Sequence, residues 1–101
     1  MDFQDLEGYA LVTGGTGGIG SAVCRLLAER GSKVAFTYFQ NEEASRELEA
    51  ILGSFGQVPF SRSLDLRNED TISSFVEFLE GKGGIHTLVH LGLFGLFRSL
   101  K

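Results

Sequence analysis

The sequence is poor in the features that would place a protein outside the cytosol. It has one cysteine, Cys24, so no intramolecular disulfide can form, which suits a reducing compartment. No histidine or metal ligand lies near Cys24 in the sequence, so we expect a buried, unreactive thiol. A secretion signal begins with basic residues followed by an apolar run, whereas the first residues of this sequence are acidic. The apolar runs of the sequence are too short to span a bilayer. These absences predict a cytoplasmic chain without a membrane segment.

An excess of positive charge is also missing. Nine basic and 13 acidic residues give a net charge of −4 with no basic stripe, so nucleic acid is not an expected partner. No lysine precedes Lys33, which excludes the Gly-Lys-Ser/Thr ending of a nucleotide-hydrolase phosphate loop. His86 and His90 are four apart on a predicted strand and are expected to face the same side. They have no recognisable third ligand, so no metal site is predicted.

The sequence is rich in glycine between Thr13 and Gly20. Five of these eight residues are glycines, and the segment follows an apolar run and precedes a helical pattern. Glycine lets another group approach the backbone closely, and a helix start offers free N–H groups to an anion. A strand, a glycine-rich turn and a helix in this order can hold the pyrophosphate of a dinucleotide. A turn that binds nothing is the alternative, and the second strand that follows on schedule argues against it.

Apolar runs and helical stripes alternate along the 101 residues. The predicted strands are 9–13, 33–39, 57–64 and 85–91. The predicted helices end near Gly31, Gly53 and Gly81, and Asn41 and Asn68 are the expected N-caps of the second and third. Their predicted buried stripes are Ile19, Val23, Leu26 and Leu27; Ala44, Leu48, Ile51 and Leu52; and Ile72, Phe75, Val76 and Leu79.

This β-α-β-α-β-α-β order predicts an α/β fold with a parallel sheet and right-handed crossovers. Pro59 cannot donate a ladder hydrogen bond, so the third strand should lie at a sheet edge. The third strand is the edge in the doubly wound order 3-2-1-4, so the two inferences agree. We therefore expect a partial Rossmann sheet in one dinucleotide-binding domain that spans residues 1–101.

The motifs resemble the N-terminal part of the short-chain dehydrogenase/reductase family, and in particular its 3-oxoacyl-carrier-protein reductase branch. Members of that family bind NAD(P) through Thr-Gly-x-x-x-Gly-x-Gly. The residues that match are Thr13, Gly14, Gly18 and Gly20. The second strand and helix, 34–38 and 41–44, are also typical of the branch. The resemblance extends to about residue 90 and implies an oxidoreductase that reduces a 3-oxoacyl-type carbonyl with NADPH.

The chain departs from the family after its fourth strand. Members continue into Asn-Asn-Ala-Gly there, whereas this chain has His90-Leu91-Gly92-Leu93. The family's catalytic Ser and Tyr-x-x-x-Lys lie beyond that strand, and neither Tyr9 nor Tyr38 has a lysine four residues on. We therefore assign no catalytic residue and expect a truncated chain that is inactive alone. A non-catalytic nucleotide-binding or self-associating fragment is the alternative function.

A second branch of the family remains open. Gly17 also completes Thr-Gly-x-x-Gly-x-x-Gly, the form found in the longer epimerase-like members, and residues 90–92 faintly echo their His-Leu-Ala. Those members usually carry an aspartate where Tyr38 stands. The sequence therefore favours the short reductase branch.

The choice of dinucleotide depends on the end of the second strand. Tyr38 and Phe39 offer no acid to the ribose 2′-OH of NAD, and no arginine or lysine stands there to attract the 2′-phosphate of NADP. The absence of an acid favours NADP, with NAD possible. Asp65-Leu66 matches the pair that receives the adenine ring in the family. The predicted cofactor-binding residues are Gly14, Thr16, Gly17, Gly18, Ile19, Gly20, Tyr38, Asp65 and Leu66.

The apolar tail, 91–101, has no clear helical or strand period. If no fifth strand pairs with the fourth, strand 85–91 presents an open edge without the charge or proline that usually protects one. Together with the tail this edge predicts self-association.

Overall fold

A computed structural model describes residues 5–64 and 69–90 of the chain; for Glu69 it describes the backbone only. Seven elements follow one another in strict strand–helix alternation. They are β1 (Tyr9–Thr13), α1 (Gly18–Glu29), β2 (Lys33–Tyr38), α2 (Glu42–Gly53), β3 (Phe60–Ser63), α3 (Glu69–Glu80) and β4 (Ile85–His90). This alternation confirms the α/β class predicted from the sequence.

The four strands form one parallel sheet in the order β3-β2-β1-β4. All five residues of β1 are buried, because β1 has a strand on each side and helices cover both faces. Tyr9 lies opposite Lys33 of β2, and this ladder ends where Val12 lies opposite Phe36. The doubly wound order 3-2-1-4 is confirmed, and it brings the carboxyl ends of β1 and β2 side by side.

The core is divided between the two faces of the sheet. Leu27 of α1 and Leu48 of α2 pack on one face, whereas Phe75 and Leu79 of α3 pack on the other. The first cluster contains Ala10, Val12, Cys24, Leu27, Ala28, Val34, Phe36, Leu48 and Leu52. The second contains Tyr9, Leu11, Ala35, Phe75 and Leu79. Helices on both faces keep the sheet between two apolar layers, as expected for a doubly wound fold.

The buried face of α1 differs from the predicted stripe. Ile19 is 73% exposed and Leu26 is 51% exposed. The buried residues of the helix are Gly20, Cys24, Leu27 and Ala28. Residues 20, 24 and 28 follow a four-residue spacing, so a row of small side chains lets the helix lie close to β1 and β2. The prediction was right for Leu27, which is buried, and for Val23, which packs against the core, and wrong for Ile19 and Leu26. It failed there because it selected large apolar residues, whereas the tight contact uses small ones.

The remaining elements follow their predictions more closely, except that Ile51 of the predicted α2 stripe is exposed and Ser45 is buried instead. Asn41 caps α2, since its Oδ1 accepts the Ala44 N–H at 3.1 Å. Gly31, just past α1, has φ +92°, which suits a glycine that ends a helix. β3 is shorter than the predicted strand 57–64, because Pro59 precedes its first paired residue, Phe60. The predicted cap Asn68 and the tail 91–101 lie outside the described residues. Within residues 5–64 and 69–90, no helix is long and apolar enough to cross a membrane.

Candidate functional site

The glycine loop, residues 14–17, connects the carboxyl end of β1 to the first turn of α1. Gly14 has φ +77°, a value that favours glycine. Gly17 is the N-cap in an extended conformation, and it has no side chain that could accept a hydrogen bond from the helix. No acidic residue lies in the first turn of α1 either. Neither the cap nor the first turn of α1 therefore supplies a negative group to this helix end.

Three backbone N–H groups at this end have no acceptor within the described part of the chain. They belong to Gly18, Ile19 and Gly20, and the first internal bond is donated by the Ser21 N–H to the Gly17 oxygen at 2.8 Å. Open first-turn amides and the positive end of the helix dipole together attract an anion. A phosphate group has the acceptor oxygens and the charge to match them.

The glycines of this segment serve two different purposes. A Cβ on Gly20 would lie 2.1 Å from the Gly14 oxygen, and one on Gly15 would lie 2.7 Å from the Phe36 Cβ. These two positions are closed by the protein's own packing. A Cβ on Gly18, in contrast, would meet nothing within 4 Å. Gly18, the first residue of α1, is therefore the position where space stays open beside the amides of residues 18–20.

The neighbouring strand β2 holds the loop in place. The Gly15 N–H donates to the Thr37 carbonyl oxygen at 2.9 Å, and the Gly14 N–H donates to Thr37 Oγ1 at 3.2 Å. Neither Thr37 nor Gly15 is among the cofactor-binding residues that the sequence predicts. Two consecutive glycines directly after β1 were the available signal for this close approach between loop and strand.

The comparisons with known proteins agree with this geometry. The family model for short chain dehydrogenases matches residues 8–91. The chain belongs to the short-chain dehydrogenase family. The probable galactose dehydrogenase GalD of Rhizobium meliloti is 33% identical over 90 residues, which are 87% of this chain and 35% of GalD. The 3-oxoacyl-[acyl-carrier-protein] reductase FabG of Vibrio cholerae is 36% identical over 89 residues, 86% of this chain and 35% of FabG.

A solved structure supports the same assignment. The short chain dehydrogenase of Burkholderia cenocepacia, crystallised in complex with NADP, superposes with a TM-score of 0.79 at 32% identity. The match covers 86% of this chain and 36% of that protein. The chain thus spans about a third of the length of the short-chain dehydrogenases that it resembles. Members of this family bind NAD(P).

The carboxyl end of β2 lies next to the loop, and in a Rossmann fold this strand end supplies the residue that meets the adenosine ribose. Tyr38 is half-buried, and its ring packs against the Phe36 ring at a centroid distance of 6.5 Å. Phe39 is 53% exposed, and Gln40 turns the chain with φ +65°. None of these three residues carries a carboxylate, so no acid follows directly on the strand.

The first turn of α2, which comes next, does carry acids. Glu42 and Glu43 lie there, and the Arg46 guanidinium pairs with the Glu42 carboxylate at 3.3 Å. Both partners of this pair are largely exposed, so its contribution to stability is small. The pair nevertheless offsets one negative charge beside the end of β2.

The other predicted site residues fall into two groups. Thr16 is half-buried in the loop, and Ile19 projects a largely exposed side chain next to Gly18. Asp65 and Leu66 lie outside the described residues. Leu64, the last described residue before them, donates its N–H to the Tyr38 oxygen at 2.8 Å. The predicted contacts of all these residues with a cofactor stay predictions.

The two histidines do not form the same-sided pair that the alternation of a strand predicted. The register between β1 and β4 shifts after Tyr9: Tyr9 lies opposite Ile85, and Ala10 lies opposite Thr87. The register therefore skips His86, and the alternation of side chains between the two faces of the sheet is broken there. His86 Nε2 lies 3.4 Å from Ser32 Oγ, whereas His90 Nδ1 lies 2.8 Å from Thr13 Oγ1 at the other end of the strand. Burial lowers the pKa of His86. In residues 5–64 and 69–90 no group of three metal-ligating side chains occurs.

Cys24 behaves as predicted. It is completely buried under α1 in the first core cluster, and burial raises the pKa of its thiol to about 12. A neutral thiol without access to solvent is a poor nucleophile. Its position in the row of small residues shows that it serves the packing of α1.

Proposed function

We propose that this chain is the NADP(H)-binding part of a short-chain dehydrogenase and that the whole protein reduces a carbonyl group. The observation that carries the proposal is that the amides of Gly18, Ile19 and Gly20 have no acceptor among residues 5–64 and 69–90 and lie beside the open space at Gly18. They would bind the pyrophosphate, with Ile19 covering the dinucleotide beyond it. The cofactor supplies the hydride when it is bound, and the residues of this chain hold and orient it.

The preference for NADP over NAD rests on the end of β2. An acid in the place of Tyr38 or Phe39 would accept a hydrogen bond from the 2′-OH of NAD and repel the 2′-phosphate of NADP. Both positions are aromatic, and Gln40 follows. The Burkholderia cenocepacia relative, which was solved with NADP, supports the same choice.

The substrate class is taken from the resemblance to FabG. The identity of 36% to the Vibrio cholerae 3-oxoacyl-[acyl-carrier-protein] reductase supports a 3-oxoacyl-type carbonyl as substrate of the whole protein. A general acid has to protonate the carbonyl oxygen as the hydride arrives. No Tyr-x-x-x-Lys pair that could supply this acid occurs in the 101 residues. The proposed contribution of this chain is therefore cofactor binding.

Calorimetric titration of the 101-residue chain with NADP⁺ and NAD⁺ tests the proposal. We expect measurable binding that is tighter for NADP⁺ and that weakens about tenfold or more in Gly18→Val, because the valine fills the space that the phosphate needs. Gly53→Val is the matched control, since Gly53 is also a helical glycine with nothing within 4 Å of an added Cβ. Unchanged binding in a folded Gly18→Val protein would contradict the site. Equal affinity for both dinucleotides would contradict the NADP preference.

A further inference from the structure

Thr37 of β2 accepts hydrogen bonds from the start of the glycine loop. The ladder between β1 and β2 ends at Val12 and Phe36, one residue before it. Beyond that pair, the N–H groups of Gly14 and Gly15 both turn to Thr37, one to the hydroxyl and one to the carbonyl. Thr37 is 3% exposed, so these bonds are shielded from water. The loop therefore leaves the sheet with its first two amides directed inward.

The contact to the hydroxyl depends on the side chain. Any residue at position 37 offers a carbonyl to Gly15, whereas the Gly14 N–H donates to the side-chain hydroxyl at 3.2 Å and needs an acceptor in that side chain. The β-branched side chain is restricted at χ1, so the hydroxyl is held in one direction. A valine would have nearly the same shape and would leave the Gly14 N–H without this acceptor.

Gly14 transmits this constraint to the first turn of α1. Its carbonyl oxygen accepts the Gly17 N–H at 3.3 Å. The same oxygen lies 2.1 Å from the position that a Cβ on Gly20 would take. This oxygen belongs to the Gly14–Gly15 peptide, whose N–H donates to the Thr37 carbonyl oxygen, whereas the Thr37 hydroxyl holds the preceding Thr13–Gly14 peptide. The two peptides meet at the Gly14 Cα, so Thr37 restrains both of them beside the helix start. Rotation of either peptide would shift the Gly14 oxygen against the residues whose amides are open to an anion.

We propose that Thr37 is a positioning residue for the dinucleotide: its hydroxyl fixes the Thr13–Gly14 peptide and thereby the conformation of Gly14, which sets the Gly14–Gly15 peptide against the helix start and aims the amides of Gly18, Ile19 and Gly20 at the phosphate. The inference rests on the proposed function for its ligand. The clamp, which is the hydrogen bond from the Gly14 N–H to the Thr37 hydroxyl, is a property of the folded chain and can be measured without a ligand. Thr37 touches the loop and acts on the ligand through it.

Two pairs of variants isolate the hydroxyl. Thr37→Val differs from the native residue by the hydroxyl at nearly constant shape, and Thr37→Ala differs from Thr37→Ser by the hydroxyl alone. The measurements are NADP⁺ affinity by calorimetry, hydrogen exchange of the Gly14 amide by NMR, and the midpoint of thermal unfolding. If Thr37→Val does not fold, the Ser and Ala variants make the same comparison.

We expect the loss of the hydroxyl to weaken NADP⁺ binding about fivefold and to speed exchange at Gly14, with Thr37→Ser close to the native chain in both. A purely structural role would lower the unfolding midpoint and leave the affinity of the folded variant unchanged, and this result would overturn the proposal. Equal weakening in Ser and Ala would overturn it too. If the native chain does not bind NADP⁺, the proposed function fails, and unaltered Gly14 exchange in Thr37→Val would separately refute the clamp.

Discussion

Gly20 and Gly18 lie two residues apart in the first turn of α1, and the structure predicts opposite responses to the same added methyl group. In Gly20→Ala the new Cβ would lie 2.1 Å from the Gly14 oxygen and 2.9 Å from the Gly14 carbonyl carbon. Both are backbone atoms, so they cannot turn aside like a flexible side chain. Either the loop or the start of α1 has to move by about 1 Å to reach ordinary carbon–oxygen contact.

The size of the effect follows from three contributions. Forcing an extra carbon into a well-packed site costs about 1–3 kcal/mol. Moving the Gly14–Gly15 peptide strains the hydrogen bond from the Gly15 N–H to the Thr37 oxygen, which costs about 1 kcal/mol more. Alanine in a helix is favoured over glycine by about 1 kcal/mol, which offsets part of the loss. We expect the free energy of unfolding of Gly20→Ala to fall by about 1–3 kcal/mol. Gly18→Ala meets no atom and should be neutral or more stable by up to about 1 kcal/mol.

Urea unfolding followed by circular dichroism measures both variants, since the chain has no tryptophan for fluorescence. The two substitutions are chemically identical and belong to the same helical turn, so helix propensity cancels in the comparison. A Gly20→Ala protein as stable as the native chain would refute the packing argument. So would a Gly18→Ala protein that loses as much stability as Gly20→Ala.

Three further predictions concern other parts of the molecule. Burial lowers the pKa of His86 below its ordinary 6.5, so the unfolded chain takes up the proton first as pH falls. The free energy of unfolding should therefore decrease below about pH 6.5, and urea titrations of His86→Gln should show a shallower decrease; an equal slope would contradict this. Because burial raises the pKa of Cys24 to about 12, iodoacetamide should alkylate it only after unfolding, and rapid alkylation of the native chain would refute its assignment as an inert core thiol. In the described sheet β4 pairs with β1 alone and Leu88 is 63% exposed, so we propose self-association at this edge that Leu88→Lys reduces in sedimentation; a strictly monomeric native chain would exclude it.

The sequence predicts the order of the elements and of the strands because both follow from long-range regularities. Alternating apolar runs and amphipathic stripes specify a parallel sheet, and Pro59 marks the edge strand. The glycine segment of 13–20 was assigned to the site from its place between a strand and a helix. Cys24 was recognised as an inert core residue from the absence of any partner near it in the sequence.

The parts that sequence reasoning missed depend on local three-dimensional fit. Ile19 and Leu26 are larger and more apolar than Gly20, yet the small residue faces the core because α1 approaches the sheet closely. The register shift at His86 is not visible in a pattern that assumes unbroken alternation. The hydrogen bonds of Thr37 to Gly14 and Gly15 depend on where the loop lies against β2, and no spacing along the chain encodes that contact.

The central claim, that the amides at the start of α1 bind a dinucleotide phosphate, is tested most directly by an NMR titration. Proton–nitrogen spectra of the 101-residue chain are recorded as NADP⁺ is added, so that each backbone amide reports separately. We expect the largest shifts at Gly18, Ile19 and Gly20, with smaller ones at Gly14 and Gly15, whose N–H groups are already bound to Thr37. A titration in which the amides of residues 18–20 do not move while NADP⁺ is in large excess would contradict the account.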